Sequence, residues 1–191
     1  METVEPLPLS IDELPSYEEE LALEWTLSLD DIQFILHTVK GAPQILYFAS
    51  ALKSLKNSGT FLNTEKLSKK IITYLAKQLN VPITAIIKIS DKSRLLYQQK
   101  IKNYLDYSDF SIKQESALKT YVQQELQKEL FSLEILKEKA CDFLKINKIM
   151  RPAPTILERI IVSYRKDELE QLYETLASKL TAEQKTKILA L

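Results

Sequence analysis

Glycine is almost missing from this chain: 191 residues hold two, Gly41 and Gly59. A Walker loop, a nucleophile elbow or any glycine-rich phosphate cradle needs backbone freedom that such a chain does not supply. Cysteine is rarer still. Cys141 stands alone, which excludes an internal disulfide and a multi-cysteine zinc site and fits a reducing compartment. Set beside Ala140, Phe143 and Leu144, it reads as a buried thiol with no chemical role. His37 is the one histidine, and a metal site or a triad needs partners the sequence does not offer, so no metal and no cofactor are expected. No apolar run is long enough to span a bilayer, and the acidic start Met1-Glu2-Thr3-Val4-Glu5 has the wrong sign for a signal peptide. The expectation is a soluble cytoplasmic protein without a membrane partner, associated with the nucleoid if bacterial.

Strand-like runs of Val, Ile and Thr are scarce as well. Helices joined by short turns are therefore the economical reading, and the fold class is all-α, built as multi-helical bundles. What the chain does have is charge, unevenly placed. Net charge is zero, yet residues 1–31 carry ten acids and no Lys or Arg, whereas residues 32–113 carry thirteen bases against Glu65, Asp91, Asp106 and Asp109. Binding of a polyanion follows the local field within a Debye length of about 8 to 10 Å, not the whole-chain balance. A basic middle segment is thus compatible with a nucleic-acid surface, and equally with lysine-rich helices that merely keep their outer faces wet.

Local signals divide the chain further. Pro6, Pro8 and Pro15 make residues 1–15 an extended arm, and Ser16 with Glu19 caps a short acidic helix ending near Trp25, a core anchor. Ser28 and Asp31 open the next helix. Gly41-Ala42-Pro43 breaks it, and a helix from Gln44 to about Lys56 closes on Asn57-Ser58-Gly59. Thr64 caps a helix to Leu79 with Leu67, Ile71, Leu75 and Leu79 on one stripe and Lys66, Lys70, Thr73 and Lys77, with Lys69 beside them, on the opposite one. After Asn80-Val81-Pro82, Ser90 or Asp91 caps a helix to Leu105 that carries Lys92, Arg94, Gln98, Gln99, Lys100, Lys102 and Asn103. Ser111 caps a helix to about residue 129, and another covers 132–146. Thr155 and Glu158, behind Pro152 and Pro154, form a capping box for a long helix, and Thr181 with Gln184 starts a last short one. The domain reading is an acidic arm over 1–26, a first helical subdomain over 27–110 and a second over 111–191.

The two basic helices are the candidates for lying against DNA, because an α-helix fits the major groove, lysine neutralises phosphate, and Arg, Gln or Asn makes paired hydrogen bonds to a purine edge. Arg94, Gln98 and Asn103 are the expected base readers. Lys66, Lys69, Lys70, Lys77, Lys92, Lys100 and Lys102 hold position on phosphates. Tyr47, Phe48, Tyr74, Tyr97 and Tyr104 fall at helical spacing, which favours core packing over base stacking.

An ordered set of motifs runs through nearly the whole chain, about residues 9–191. It comprises Trp25-Thr26-Leu27 before Asp30-Asp31, Tyr47-Phe48-Ala49 leading to Gly59-Thr60-Phe61-Leu62, Tyr74 to Val81, and Arg94 with Ile101 to Leu105 and Phe110. Arg151-Pro152-Ala153-Pro154-Thr155 through Arg159, then Leu172-Tyr173 to Leu176, then Leu180-Thr181 to Gln184 complete it. This succession resembles the N-terminal region of the Tn-three family of replicative transposases. The resemblance implies a DNA-binding part with helix-turn-helix-like elements that recognises the terminal inverted repeats of a transposon as double-stranded DNA. A separate, later domain of the family, holding two metal ions on three carboxylates, cuts and joins the strands. The chain is accordingly expected to be no enzyme, either an excised fragment or a truncated gene product, with a homodimer as one arrangement. Where family members often carry an arginine cluster, this chain has Leu36 to Gly41, and Lys53 and Lys56 are expected to substitute in part. Two other readings stay open: an all-helical protein-interaction module, and a repressor or autoinhibited binder whose residues 1–31 fold back on the basic middle.

Overall fold

One helix has no face left for water: from Ile45 to Leu55 every residue is buried, as expected where apolar and small side chains surround the axis. In the computed structural model, which describes residues 18–63, 67–83, 89–129 and 131–180, that helix is the third of eight. They are α1 (Glu18–Trp25), α2 (Leu29–Thr38), α3 (Ala42–Ser58), α4 (Lys69–Leu79), α5 (Asp91–Leu105), α6 (Ile112–Lys128), α7 (Leu133–Ile146) and α8 (Pro154–Lys179). Among the described residues the only extended pairing is one isolated parallel bridge, Ser108 with Ile149. The chain is all-α. Two compact units divide it: residues up to Asp109 with Lys145–Met150, and Phe110–Leu144 with the residues from Arg151 onward.

In the first unit α3 is the axis, and α1, α2, α4 and α5 pack against it. Small residues let them come close, and the two serines among these do not sacrifice hydrogen bonds. Ser50 donates to the Leu46 carbonyl at 2.7 Å, and Ser54 donates to the Thr60 carbonyl at 2.7 Å while accepting from the Leu62 amide at 2.7 Å. Phe48 meets Phe34 and Tyr97 edge-on at 5.5 and 5.6 Å, and Phe34 stacks on Tyr104 at 3.9 Å. These rings tie α2, α3 and α5 together. Trp25, 1% exposed, anchors the end of α1 in the same core.

One polar knot lies inside it. Asp31 is 2% exposed, receives both 2.7 Å bonds of the Lys56 ammonium, a 3.2 Å bond from the Tyr104 hydroxyl, and the backbone amide of Ser28 in a reciprocal capping box. Burial pushes its carboxyl up, but the hydrogen bond and charge of Lys56, with Ser28, hold it below the ordinary value of 3.8. A carboxyl depressed in the folded state contributes stability that is fully present above its unfolded value and is lost as the pH falls through the folded one. Asp31→Asn is therefore expected to cost about 2 kcal/mol at pH 7, with the gap to the parent closing below pH 3.8. Urea melts across that range are the measurement, and a gap that persists undiminished at the acid end would refute the role.

Several helix ends differ from the sequence reading. α4 begins at Lys69, capped by the Ser68 hydroxyl, not at Thr64; residues 64–66, Lys66 among them, lie outside the described residues, and Leu67 is buried just ahead of the helix. α3 and α8 each start earlier than expected, with Pro43 and Pro154 in their first turns, where a fixed φ suits the helix and the missing amide is no loss. Thr155 consequently lies inside α8, and Ala153 takes the cap position without a side-chain bond. Ser111 caps α6 by position only, its hydroxyl being turned to Gln114. The Ser16 and Thr181 caps lie outside the described residues.

In the second unit α6 and α8 pack along one another, burying Leu118, Val122 and Leu126, and Leu157, Ile160, Ile161 and Tyr164. Tyr121 stacks on Phe143 of α7 at 4.5 Å. The Tyr164 hydroxyl donates to Glu115 at 3.1 Å, and burial together with that carboxylate pushes the phenol up to about 12. Cys141 is half-buried, which raises its thiol, while Arg151 at 3.8 Å pulls it back.

Candidate nucleic-acid interface

α4 is short and strongly two-sided. Ile71, Ile72, Leu75, Ala76 and Leu79 are buried, whereas Lys69, Lys70 and Lys77 are exposed and Thr73 is half-buried beside them. The helix contains no acid. Lysines in its first turn oppose the helix dipole, a cost of about 0.3 to 1 kcal/mol each. Asn80 ends it in the left-handed conformation, and Val81-Pro82 follows.

α5 starts where the Ser90 hydroxyl accepts from the Ser93 amide at 3.2 Å, with Asp91 in the first turn complementing the dipole. Ile101 is fully buried, and Tyr97 and Leu105 are packed against the core. Lys92, Gln99, Lys100 and Asn103 are exposed on the other side. Gln99 donates to Asn103 at 2.8 Å.

Arg94, Gln98 and Lys102 also have partners inside the unit. Arg94 reaches Asp91 at 2.8 Å, Gln98 is half-buried and bonds the Tyr47 phenol, and Lys102, its side chain 13% exposed, holds Asp109 at 2.7 Å. Of the residues singled out from the sequence, Lys69, Lys70, Thr73 and Lys77 share one outward stripe of α4. Lys92, Gln99, Lys100 and Asn103 share the outward side of α5.

The substitutes for the missing arginine cluster are overturned. Lys53 is buried, and desolvation, reinforced by Lys56, lowers its ammonium while Asp31 and Glu24 oppose this. Lys56 is committed to Asp31. The described part of the acidic leader packs on α3 and α4 by other means: Asn57 donates to the Glu24 carbonyl at 2.8 Å, the Leu27 amide donates to Gln78 at 2.7 Å, and Thr26 meets the Tyr74 hydroxyl at 2.8 Å. These contacts use Tyr74 and Gln78 on the flank of α4, not its lysines.

A family profile, that of a domain of unknown function designated DUF4158, matches residues 9–164, more than half of the chain. The chain belongs to the DUF4158 family. Its matched part runs through α1 to α7 and the first half of α8. The DUF4158 chain is also 26% identical over 179 residues to the transposase for transposon Tn1546 of Enterococcus faecium. The alignment takes in 92% of this chain and 18% of that protein, so the chain spans about a fifth of the length of the curated relative it matches. It is transposase-related. Among the described residues no helix is long and apolar enough to cross a membrane, and no group of His, Cys, Asp and Glu is arranged to hold a metal ion.

Two features of this DUF4158 chain escaped the sequence reading. Leu95 and Leu96 are 65% and 53% exposed on α5. Once Tyr97, Ile101 and Leu105 are set inward at spacings of four, both leucines fall off the buried stripe, so a helical projection finds them. The Asp31–Lys56 pair joins residues 25 apart, and no local spacing announces it.

Proposed function

We propose that this chain is a non-catalytic DNA-binding part of a transposase of the Tn-three family, which recognises terminal inverted repeats through α5 and α4. The observation that carries the reading is the charge of their outward sides: lysines and amides, with two leucines on α5, Asp91 as the one acid in either helix and Arg94 already on it. The relationship to a transposase supports it, as does the dipole mismatch at the start of α4. A phosphate at that end offsets the charge of the lysines there and complements the positive end of the helix. Helix-turn-helix character enters through the three-residue connections around α2, but α3 is buried from Ile45 to Leu55. Groove reading therefore falls to α5, with α4 on the backbone.

A mobility-shift assay tests this, using a duplex bearing the inverted repeat beside the gene and a scrambled duplex at moderate salt. Preference for the repeat is expected, and equal binding or none overturns the proposal. Changing Lys69, Lys70 and Lys77 together to Gln should weaken binding to all sequences alike. It should also lower the slope of log affinity against log salt by about three.

A further inference from the structure

Lys92 is three and four residues before the adjacent Leu95 and Leu96, which are four and three before Gln99, with Asn103 four beyond it, so the five occupy one outward side of α5, flanked by Lys100. The leucines are exposed to 65% and 53%, the polar residues among them are a lysine and two amides, and the acid one turn before Leu95, Asp91, is paired with Arg94 at 2.8 Å. Such a mixture is ill suited to an apolar protein contact, where a lysine at each side would be desolvated unpaired. It matches the floor of a major groove. The thymine methyl is the one apolar group that base edges offer there, and adenine offers an acceptor at N7 beside a donor at N6. The Gln99–Asn103 bond, 2.8 Å from Nε2 to Oδ1, leaves the Gln99 oxygen as an acceptor and the Asn103 amide as a donor, the complement of that adenine edge.

Building on the DNA-binding reading, we infer that α5 reads A·T base pairs, with Leu95 and Leu96 against thymine methyls and the Gln99–Asn103 pair on adenine. Lys92, at the start of the helix, and Lys100, on its flank, steady it on phosphates. The leucines carry specificity, not general affinity.

Removing the methyl alone is the test. A pool of randomised 30-base-pair duplexes is selected on the whole chain, and the winners are resynthesised with deoxyuridine in place of thymidine. The selected duplexes should share adjacent A·T pairs. The deoxyuridine forms should bind about fourfold more weakly per contacted methyl. Leu95→Ala with Leu96→Ala, on an exposed surface where folding is not at stake, should erase the difference between the two forms. Asn103→Ala should relax the adenine preference about tenfold, while Lys92→Gln should weaken both forms equally. Equal binding of the thymidine and deoxyuridine forms by the parent chain, or an unchanged ratio in the leucine variant, overturns the inference while leaving DNA binding standing. Retention of no duplex at all removes the DNA reading and this inference with it.

Discussion

Raising salt from 50 to 200 mM should weaken the complex with DNA about a thousandfold. The chain as a whole is neutral, so the effect has to come from where charge is placed. Five lysines are exposed on α4 and α5, namely Lys69, Lys70, Lys77, Lys92 and Lys100, and Lys66 precedes them in sequence. Six phosphate contacts release about five condensed counterions from a duplex, and a fourfold rise in salt acts on each. Lys102 and Arg94 contribute little to that number because Asp109 and Asp91 already hold them. Fluorescence anisotropy against salt concentration gives the slope directly. A value near zero would mean that the lysine stripes only solvate the helices. A slope that survives neutralisation of Lys69, Lys70 and Lys77 would place the phosphates on another surface.

The basic stripe of α4 was legible because one helix encodes it: inward residues recur at Ile71, Leu75 and Leu79, and Lys69, Lys70 and Lys77 fall on the opposite side. A cap at Ser90 gave α5 its start, and the Ser28–Asp31 capping box was readable from a spacing of three. Periodicity says less about which outward group is free. Lys102 is drawn onto Asp109 only because the chain turns back through Asp106 with positive φ. Lys53 carries a charge on a helix that tertiary packing surrounds, so composition favours exposure and the fold decides otherwise. Helix starts at Pro43 and Pro154 were misread for a related reason: proline was taken as a stop, while its fixed φ also serves as a first turn.

Phe48→Ala should destabilise the first unit by about 3 to 5 kcal/mol, with the lost edge-on ring contacts accounting for about 0.5 to 1.5 kcal/mol of it per pair. Phe48 is fully buried, and its ring meets Phe34 of α2 and Tyr97 of α5. Neither neighbour is free to collapse into the space. Phe34 is stacked on Tyr104, whose hydroxyl is bound to Asp31, and Asp31 is pinned by Lys56 and the cap of α2. The cavity therefore stays open, which puts the cost at the upper part of the range. Tyr97 is the inward residue of the same helix that carries Leu95, Leu96 and Gln99 outward, so loosening this contact frees the helix assigned to base reading. The variant should lose discrimination between sequences before it loses its salt-dependent affinity. Trp25, the single tryptophan of the chain, lies in the same core, and its fluorescence in urea reports the melting of this unit. A shift worth less than about 1 kcal/mol would show that the aromatic cluster does not hold α5 on α3, and α5 would then owe its position to Ile101 and Leu105 alone.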